Sequence, residues 1–182
     1  MKQLTSNFFA RDTLIVAQEL LGKIISLNGM SARIVETEAY KDDPASHAYK
    51  KTDRSALMFD THAHVYVYLI YGMYYCINFT TENNKPGAVL IRAVEPLTGI
   101  EEMKQRRKIE KITNLCSGPG KLCIALGIDK MVNETLIGNK VKILDDGYTI
   151  KKINATSRIG IKDALHLKWR FYIEGNEFVS KN

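Results

Sequence analysis

Two glutamates and a tyrosine alternate along one short segment and could form a hydrolytic site. In RIVETEAY (residues 33–40), a strand would place Glu36, Glu38 and Tyr40 on one face. A carboxylate can deprotonate or orient the water that hydrolyses a glycosidic bond, and an aromatic ring beside it can border a cleft for the leaving group. The spacing does not rank Glu36 against Glu38, and both could instead be solvent-facing strand residues.

A second segment, VYVYLIYGMYYCINFT (residues 65–80), is dense in tyrosine. Nucleic-acid bases stack on such rings, and each stacked base contributes roughly 1–3 kcal/mol. The alternative is that the rings fill a half-buried sheet face, because tyrosine favours strands. Asn78 and Arg92 could read a base edge or bind phosphate, or they could pair across the sheet. The tyrosines are Tyr66, Tyr68, Tyr71, Tyr74 and Tyr75.

A third segment, Ser117-Gly118-Pro119-Gly120-Lys121, has the composition of a helix start. Backbone amides at a helix N-terminus form a natural anion site, which could take a DNA phosphate. The segment is not a Walker loop, because the second glycine and the Ser/Thr of that pattern are misplaced. Lys121 could attack a sugar as an amine nucleophile, or it could be an exposed cation.

Local signals in the first half of the chain predict the elements that position these residues. Asp12 is a good N-cap for a helix that ends at Gly22. Asn28-Gly29 predicts a type I′ hairpin between strands at 23–27 and 32–40. The remaining expectations are a long loop over 40–64, strand structure over 65–80 with a bend or bulge at Gly72, a turn over 83–87 and a strand over 88–94.

The second half of the chain mixes helices with further strands. A helix is predicted from Pro96 to about Lys108 with Thr98 as its cap, and another from Pro119 to Leu126. Strands are predicted at 141–144 and 168–173. The pattern indicates an α+β fold, a single domain over residues 1–182 with a mixed, largely antiparallel curved sheet and peripheral helices.

Composition narrows the class of protein. A chain of 182 residues, 45% hydrophobic and 25% charged, can bury one good core. We expect no membrane span, no secretory signal in MKQLT and a cytoplasmic, non-secreted protein, near the nucleoid in a bacterium or nuclear in a eukaryote. The net charge of +6 makes a polyanionic partner plausible, although the basic run at 104–108 could be only an exposed helix face.

Cysteine and histidine spacing argues against disulfides and metals. Cys76, Cys116 and Cys123 have no zinc-ligand spacing, and we expect them to be free thiols. His62 and His64 have no acidic partner at a metal-motif spacing, so we expect no metal.

Five motifs in order resemble the alkyladenine (3-methyladenine) DNA glycosylase family, the single-domain type that includes the vertebrate enzyme. They are RIVETEAY (33–40), YVYLIYGMYYCIN (66–78), IRAVEP (91–96), LCSGPGKLCIALGI (115–128) and WRFYIEGNEFVS (169–180). The resemblance runs nearly end to end. Two departures are THAH (61–64), where the family has a Pro-Gly turn, and Ser55, where it commonly has asparagine.

The resemblance implies a role for individual residues. It makes Glu38 the general base that activates the attacking water, which separates Glu38 from Glu36. It makes Tyr71 the wedge that enters the duplex and fills the gap left by the flipped nucleotide. The remaining implied positions are base-pocket residues Tyr40, His47, Tyr68, Asn78 and Ile159, with Arg92 near the backbone of the flipped nucleotide and Ser117, Gly118 and Lys121 on DNA phosphates.

The resemblance also implies the reaction. The predicted activity is a monofunctional DNA N-glycosylase of base excision repair that removes alkylated or deaminated purines such as 3-methyladenine and hypoxanthine. Water attacks directly, no cofactor or metal is needed, and an abasic site is left. The partner is double-stranded DNA carrying a damaged purine, bound by a monomer without a membrane.

Two other interpretations of the residues stay open at this point. One is a basic nucleic-acid-binding domain that uses tyrosine stacking without catalysis. The other is a different hydrolase with Glu36 and Glu38 as a carboxylate pair on a sugar substrate.

Overall fold

The centre of the fold is a pair of long antiparallel strands, β3 and β6, in a nine-stranded sheet. The computed structural model describes residues 1–180. The main path of the sheet runs β1-β7-β2-β3-β6-β5-β4, and β9 pairs with both β3 and β8. The strands are β1 (Lys2–Gln3), β2 (Ile24–Leu27), β3 (Met30–Tyr40), β4 (Val65–Ile70), β5 (Tyr74–Thr80), β6 (Ala88–Thr98), β7 (Lys142–Asp145), β8 (Ile153–Thr156) and β9 (Arg170–Ile173).

Within residues 1–180, five short α-helices accompany the sheet. Helices α2 and α5 pack against its central strands, so β3 and β6 are buried at nearly every residue instead of at alternate ones. The helices are α1 (Ser6–Phe9), α2 (Thr13–Glu19), α3 (Ala56–Asp60), α4 (Ile100–Arg107) and α5 (Pro119–Leu126), with single 3-10 turns at His47–Tyr49, Ile112–Asn114 and Lys130–Val132. The predicted α+β fold with a curved, largely antiparallel sheet is confirmed.

Elements set by local chemistry lie where the sequence predicts them. Asp12 caps α2, because its carboxylate accepts hydrogen bonds from the N–H groups of Leu14 (2.8 Å) and Ile15 (3.4 Å). Asn28 and Gly29 have φ angles of 51° and 75°, as a type I′ turn between β2 and β3 requires. The helix at Pro119–Leu126 has the predicted bounds.

The start of α4 was predicted wrongly. Strand β6 continues through Pro96 and Thr98, and the N-cap of α4 is Gly99 with a φ of 77°. Proline is tolerated because β5 pairs with β6 only at Ala88–Leu90, which leaves one edge of the strand free at Pro96. On its other edge Pro96 pairs with Ala32, next to a register shift.

The predicted long loop over 40–64 is partly wrong, because it contains a 3-10 turn and helix α3. Ser55 is 2% exposed and makes local contacts: its hydroxyl donates to the Lys50 carbonyl (2.9 Å) and accepts from the Thr52 N–H (2.9 Å). Of the predicted bend or bulge at Gly72, the structure has the bend: Gly72 lies in the tight turn between β4 and β5. Strands β1 and β8 were not predicted.

No helix within residues 1–180 has the length and apolar character to cross a membrane.

Candidate active site

A cavity of about 360 Å³ opens between the β4–β5 hairpin, the start of α5 and the loop after β8. Its volume lies within the range of small-molecule sites, roughly 300–1,000 Å³. Aromatic rings and a few polar groups line it together. The lining includes Tyr40, His47, Met58, Tyr68, Tyr71, Tyr74, Cys76, Asn78, Arg92, Gly120 and Ile159.

Glu38 lies directly behind the wall of this cavity, with its side chain fully buried. Oε1 accepts a hydrogen bond from the backbone N–H of Ile159 at 2.7 Å and lies 3.3 Å from Nη1 of Arg92. Oε2 accepts from the hydroxyl of Tyr40 at 2.8 Å. All three partners line the cavity, so the carboxylate is one contact away from whatever occupies it.

Burial raises the pKa of Glu38 above its ordinary value of 4.5, and the Arg92 charge and the Ile159 N–H oppose that rise. The hydroxyl of Tyr40 stays protonated, because burial and the Glu38 charge hold its pKa well above 10. Tyr40 is therefore a hydrogen-bond donor, and Glu38 is a carboxylate with a pKa shifted toward neutrality, which is typical of a general base.

Glu36 is buried as completely but faces structural partners. Its Oε1 accepts from Nε of Arg170 (2.6 Å), Nε of Arg92 (3.2 Å) and the hydroxyl of Ser180 (2.9 Å). Its Oε2 accepts from the N–H of Ser180 at 2.7 Å. Both glutamates are fully buried, so the alternative that they are solvent-facing strand residues is wrong for both. Glu36 binds β6, β9 and the C-terminal segment together, and only Glu38 has partners that all line the cavity.

The aromatic wall of the cavity consists of Tyr40 at the end of β3, Tyr68 on β4 and His47 on a 3-10 turn. The rings of His47 and Tyr68 pack edge to face with centroids 4.9 Å apart, and Nδ1 of His47 lies 3.0 Å from the hydroxyl of Tyr66. Burial, helped by the charge of Arg54, lowers the pKa of His47 below 6.5. A neutral imidazole in this wall does not repel a cationic base.

Guanidinium groups stack behind two of these rings. Arg54 lies 5.0 Å from the ring centroid of Tyr68, and Arg158 lies 4.7 Å from that of Tyr40. Neither arginine lines the cavity. Both rings are therefore held from one side by a charge outside the site.

Asn78 and Ile159, both predicted for the base pocket, line the cavity, and so does Arg92. Nδ2 of Asn78 donates to the Tyr66 carbonyl at 3.1 Å, which fixes the orientation of the side chain. Arg92 is 8% exposed and is paired with Glu36 and Glu38, so a ligand can contact it only from inside the cavity.

Tyr71 projects from the molecule at the tip of the β4–β5 hairpin. It is 81% exposed and has a φ of 53°, in the left-handed region. Met73, at the same tip, is 65% exposed. An apolar tip beside the cavity mouth has the shape of a wedge.

Ser117, Gly118 and Lys121 lie at the start of α5, next to Pro119 and Gly120 in the cavity lining. Nζ of Lys121 lies 3.5 Å from the hydroxyl of Ser117. Lys121 is exposed and does not line the cavity, so its position suits contact with an anion at the rim. The basic run at 104–108 is instead on α4, where Lys104 and Arg106 pair with glutamates.

Two residues that the sequence analysis missed form a buried ion pair beside the site. Arg158 binds Asp43 through two hydrogen bonds of 2.6 and 3.0 Å. Asp43 lies after β3 in a segment without hydrophobic periodicity. The only sequence signal near Arg158 was the predicted pocket residue Ile159 beside it. No local signal identifies a pair 115 residues apart.

The three cysteines are free, as expected, and the structure buries all of them. Within residues 1–180, no group of three His, Cys, Asp or Glu side chains has a metal-binding arrangement.

Residues 7–177 match the family model of the methylpurine-DNA glycosylases (MPG). A protein of Rhizobium etli is 48% identical over 177 residues, which are 96% of this chain and 87% of that protein. Proteins of Desulfitobacterium hafniense and Bacillus cereus are 44% and 45% identical over 99% and 98% of this chain and 99% of each relative. The names of all three class them provisionally as 3-methyladenine DNA glycosylases. The chain therefore belongs to the methylpurine-DNA glycosylase family, and it is a DNA glycosylase, a hydrolase of N-glycosyl bonds, as the five motifs predict.

Proposed function

We propose that this glycosylase flips an alkylated or deaminated purine, of the 3-methyladenine or hypoxanthine type, out of duplex DNA and hydrolyses its N-glycosidic bond with water activated by Glu38. One observation carries the proposal: the buried carboxylate of Glu38 lies behind a cavity with aromatic walls, and its three partners all line that cavity.

In the proposed reaction, the bond between C1′ and the base nitrogen breaks, and its electron pair leaves with the base. Water forms the new bond to C1′ and gives its proton to Glu38. Arg92 and the Ile159 N–H stabilise the ionised carboxylate before the proton arrives. The product is an abasic site, and no step requires a lysine nucleophile or strand cleavage.

Selection of the base rests on the aromatic wall. A cationic base such as 3-methyladenine is attracted to the faces of Tyr40 and Tyr68 and is also a good leaving group. A neutral base such as hypoxanthine lacks both advantages and depends more on Glu38. Asn78 is one of the polar side chains that line the cavity, and its amide can contact a base edge, so we propose that it discriminates among purines.

Flipping needs compensation, because unstacking and unpairing a base costs a few kcal/mol. We assign that role to Tyr71 at the hairpin tip, which would fill the gap in the duplex. Ser117, Gly118 and Lys121 would contact the phosphates at the cavity rim. We expect one monomer to bind each lesion.

The test is base release from duplex oligonucleotides that carry one hypoxanthine or one 3-methyladenine-type lesion. The wild type is compared with Glu38→Gln and with Glu174→Gln, which removes an exposed glutamate that pairs with Lys152 and does not line the cavity. Alkali added afterwards cuts abasic sites. We expect release by the wild type and Glu174→Gln, strand breaks only after alkali, and no release by Glu38→Gln, which still binds.

Strand cleavage without alkali would contradict attack by water. Salt-sensitive DNA binding by all three proteins with no base release would favour the non-enzymatic nucleic-acid binder instead.

A further inference from the structure

The loop that presents the Ile159 N–H to Glu38 has few anchors of its own. Residues 158–161 follow β8 and contribute Ile159, Gly160 and Ile161 to the cavity. Within the part of the chain described, these four residues make no backbone–backbone hydrogen bond. Their position depends on the Ile159 N–H, which donates to Glu38, and on the side chain of Arg158.

Arg158 connects this loop to the segment after β3. Its side chain is fully buried, and Nη2 and Nη1 donate to Oδ1 and Oδ2 of Asp43 at 2.6 and 3.0 Å. Nη1 also donates to the carbonyl of Ala39 at 3.2 Å. A bidentate arginine–carboxylate pair constrains direction as well as distance, so it holds both loops in one register.

The same guanidinium supports the Tyr40 ring. It lies 4.7 Å from the ring centroid of Tyr40 and 5.2 Å from that of Trp169. Tyr40 donates its hydroxyl hydrogen to Glu38, so Arg158 acts on two of the three groups that hold that carboxylate. Neither Arg158 nor Asp43 lines the cavity, and neither can touch a substrate there.

We infer that the Arg158–Asp43 pair is a positioning device for the reaction, which places the Ile159 N–H and the Tyr40 hydroxyl on Glu38 so that the carboxylate stays ionised and aimed at the cavity. The inference rests on the proposed role of Glu38 as the base. Arg158 and Asp43 are positioning residues and not catalytic ones.

The experiment uses Arg158→Lys, which keeps the charge but loses the bidentate geometry. The matched control is Arg33→Lys, because Arg33, near the other end of β3, makes a bidentate pair of similar geometry, though less buried, with Asp146 (2.8 and 3.1 Å). Single-turnover base release is measured with enzyme in excess over a lesion duplex, from pH 5 to pH 8, together with affinity for the same duplex.

We expect Arg158→Lys to lower the single-turnover rate constant roughly 10- to 100-fold, the range for losing one hydrogen bond to a charged group. The fall in the rate constant at low pH should begin at a higher pH than in the wild type. The reason is that the displaced Ile159 N–H no longer opposes the rise in the pKa of Glu38. Affinity should stay within about twofold of the wild type, and Arg33→Lys should keep the wild-type rate constant and pH profile.

If Arg158 had a purely structural role, Arg158→Lys would lower the fraction of active protein but leave the rate constant and its pH dependence unchanged. That result would overturn the inference. If Arg158→Lys does not fold, Asp43→Asn, which keeps the shape and removes the charge, is judged by the same two readouts. The two proposals can fail separately. If Glu38→Gln has wild-type activity, Glu38 is not the general base, and this inference fails with that role. If Glu38→Gln is inactive but Arg158→Lys behaves as the wild type, only this inference fails.

Discussion

Glu36 and Glu38 point from the same face of one strand, and the structure predicts opposite consequences for replacing each by glutamine. Glu36→Gln removes the charge that neutralises Arg92 and Arg170, and it turns an amide group toward the N–H of Ser180. Glu38→Gln can keep its two hydrogen bonds, because its carbonyl still accepts from Ile159 and its amide can donate to the hydroxyl of Tyr40. It loses the ion pair with Arg92, but Arg92 remains paired with Glu36 and is not left without a counter-charge.

The magnitudes follow from burial. Removing one partner of a buried ion pair costs about 3–5 kcal/mol, so Glu36→Gln should lose that much of the free energy of unfolding. For a chain of this size, this corresponds to a fall in Tm of roughly 6–20 °C. Glu38 has a raised pKa, so the stability it contributes is present below pH 4.5 and is lost as pH rises through its folded value. At pH 7.5 its replacement by a neutral side chain should leave the free energy of unfolding equal to or above that of the wild type.

The assay is urea unfolding at pH 7.5, followed by fluorescence of Trp169, beside single-turnover base release at a temperature where every variant is folded. The expected pattern is a destabilised Glu36→Gln that retains base release and a stable Glu38→Gln that has none. A Glu36→Gln protein within 1 kcal/mol of the wild type, or a Glu38→Gln protein that loses as much stability as Glu36→Gln, would refute this reasoning.

Three further predictions concern the cavity and its rim. Base release should decline as pH falls through the pKa of Glu38, which lies above 4.5, and a single-turnover profile with no such acidic limb would exclude Glu38 as the base. Tyr71→Ala should change stability by no more than about 0.5 kcal/mol, because the side chain is 81% exposed, yet slow excision from fully paired duplex more than from a bulged lesion; equal rates for the two substrates would contradict the wedge role. Lys121→Ala should reduce the slope of log affinity against log salt by about 1, and a slope unchanged in a salt titration would place this lysine away from phosphate.

The sequence was sufficient for elements whose causes are local. The Asn28-Gly29 turn, the Asp12 cap and the Pro119–Leu126 helix depend on residues within a few positions of one another. Sequence-based prediction was wrong where a residue unfavourable for an element is tolerated because of segments far away in the chain. Pro96 remains in β6 because the neighbouring strand ends before it, and that ending cannot be read from the residues around Pro96.

The candidate site divides in the same way. Residue types and order were enough to identify the carboxylates, the aromatic rings and a helix start that we propose for phosphate contact, and the five motifs led to the family. The difference between Glu36 and Glu38 was settled by partners 121 to 144 residues away, since Ile159 reaches one carboxylate and Ser180 the other. A strand's alternation sets the face on which a side chain lies, but its burial, its hydrogen-bond donors and therefore its pKa come from segments that only the folded chain brings together.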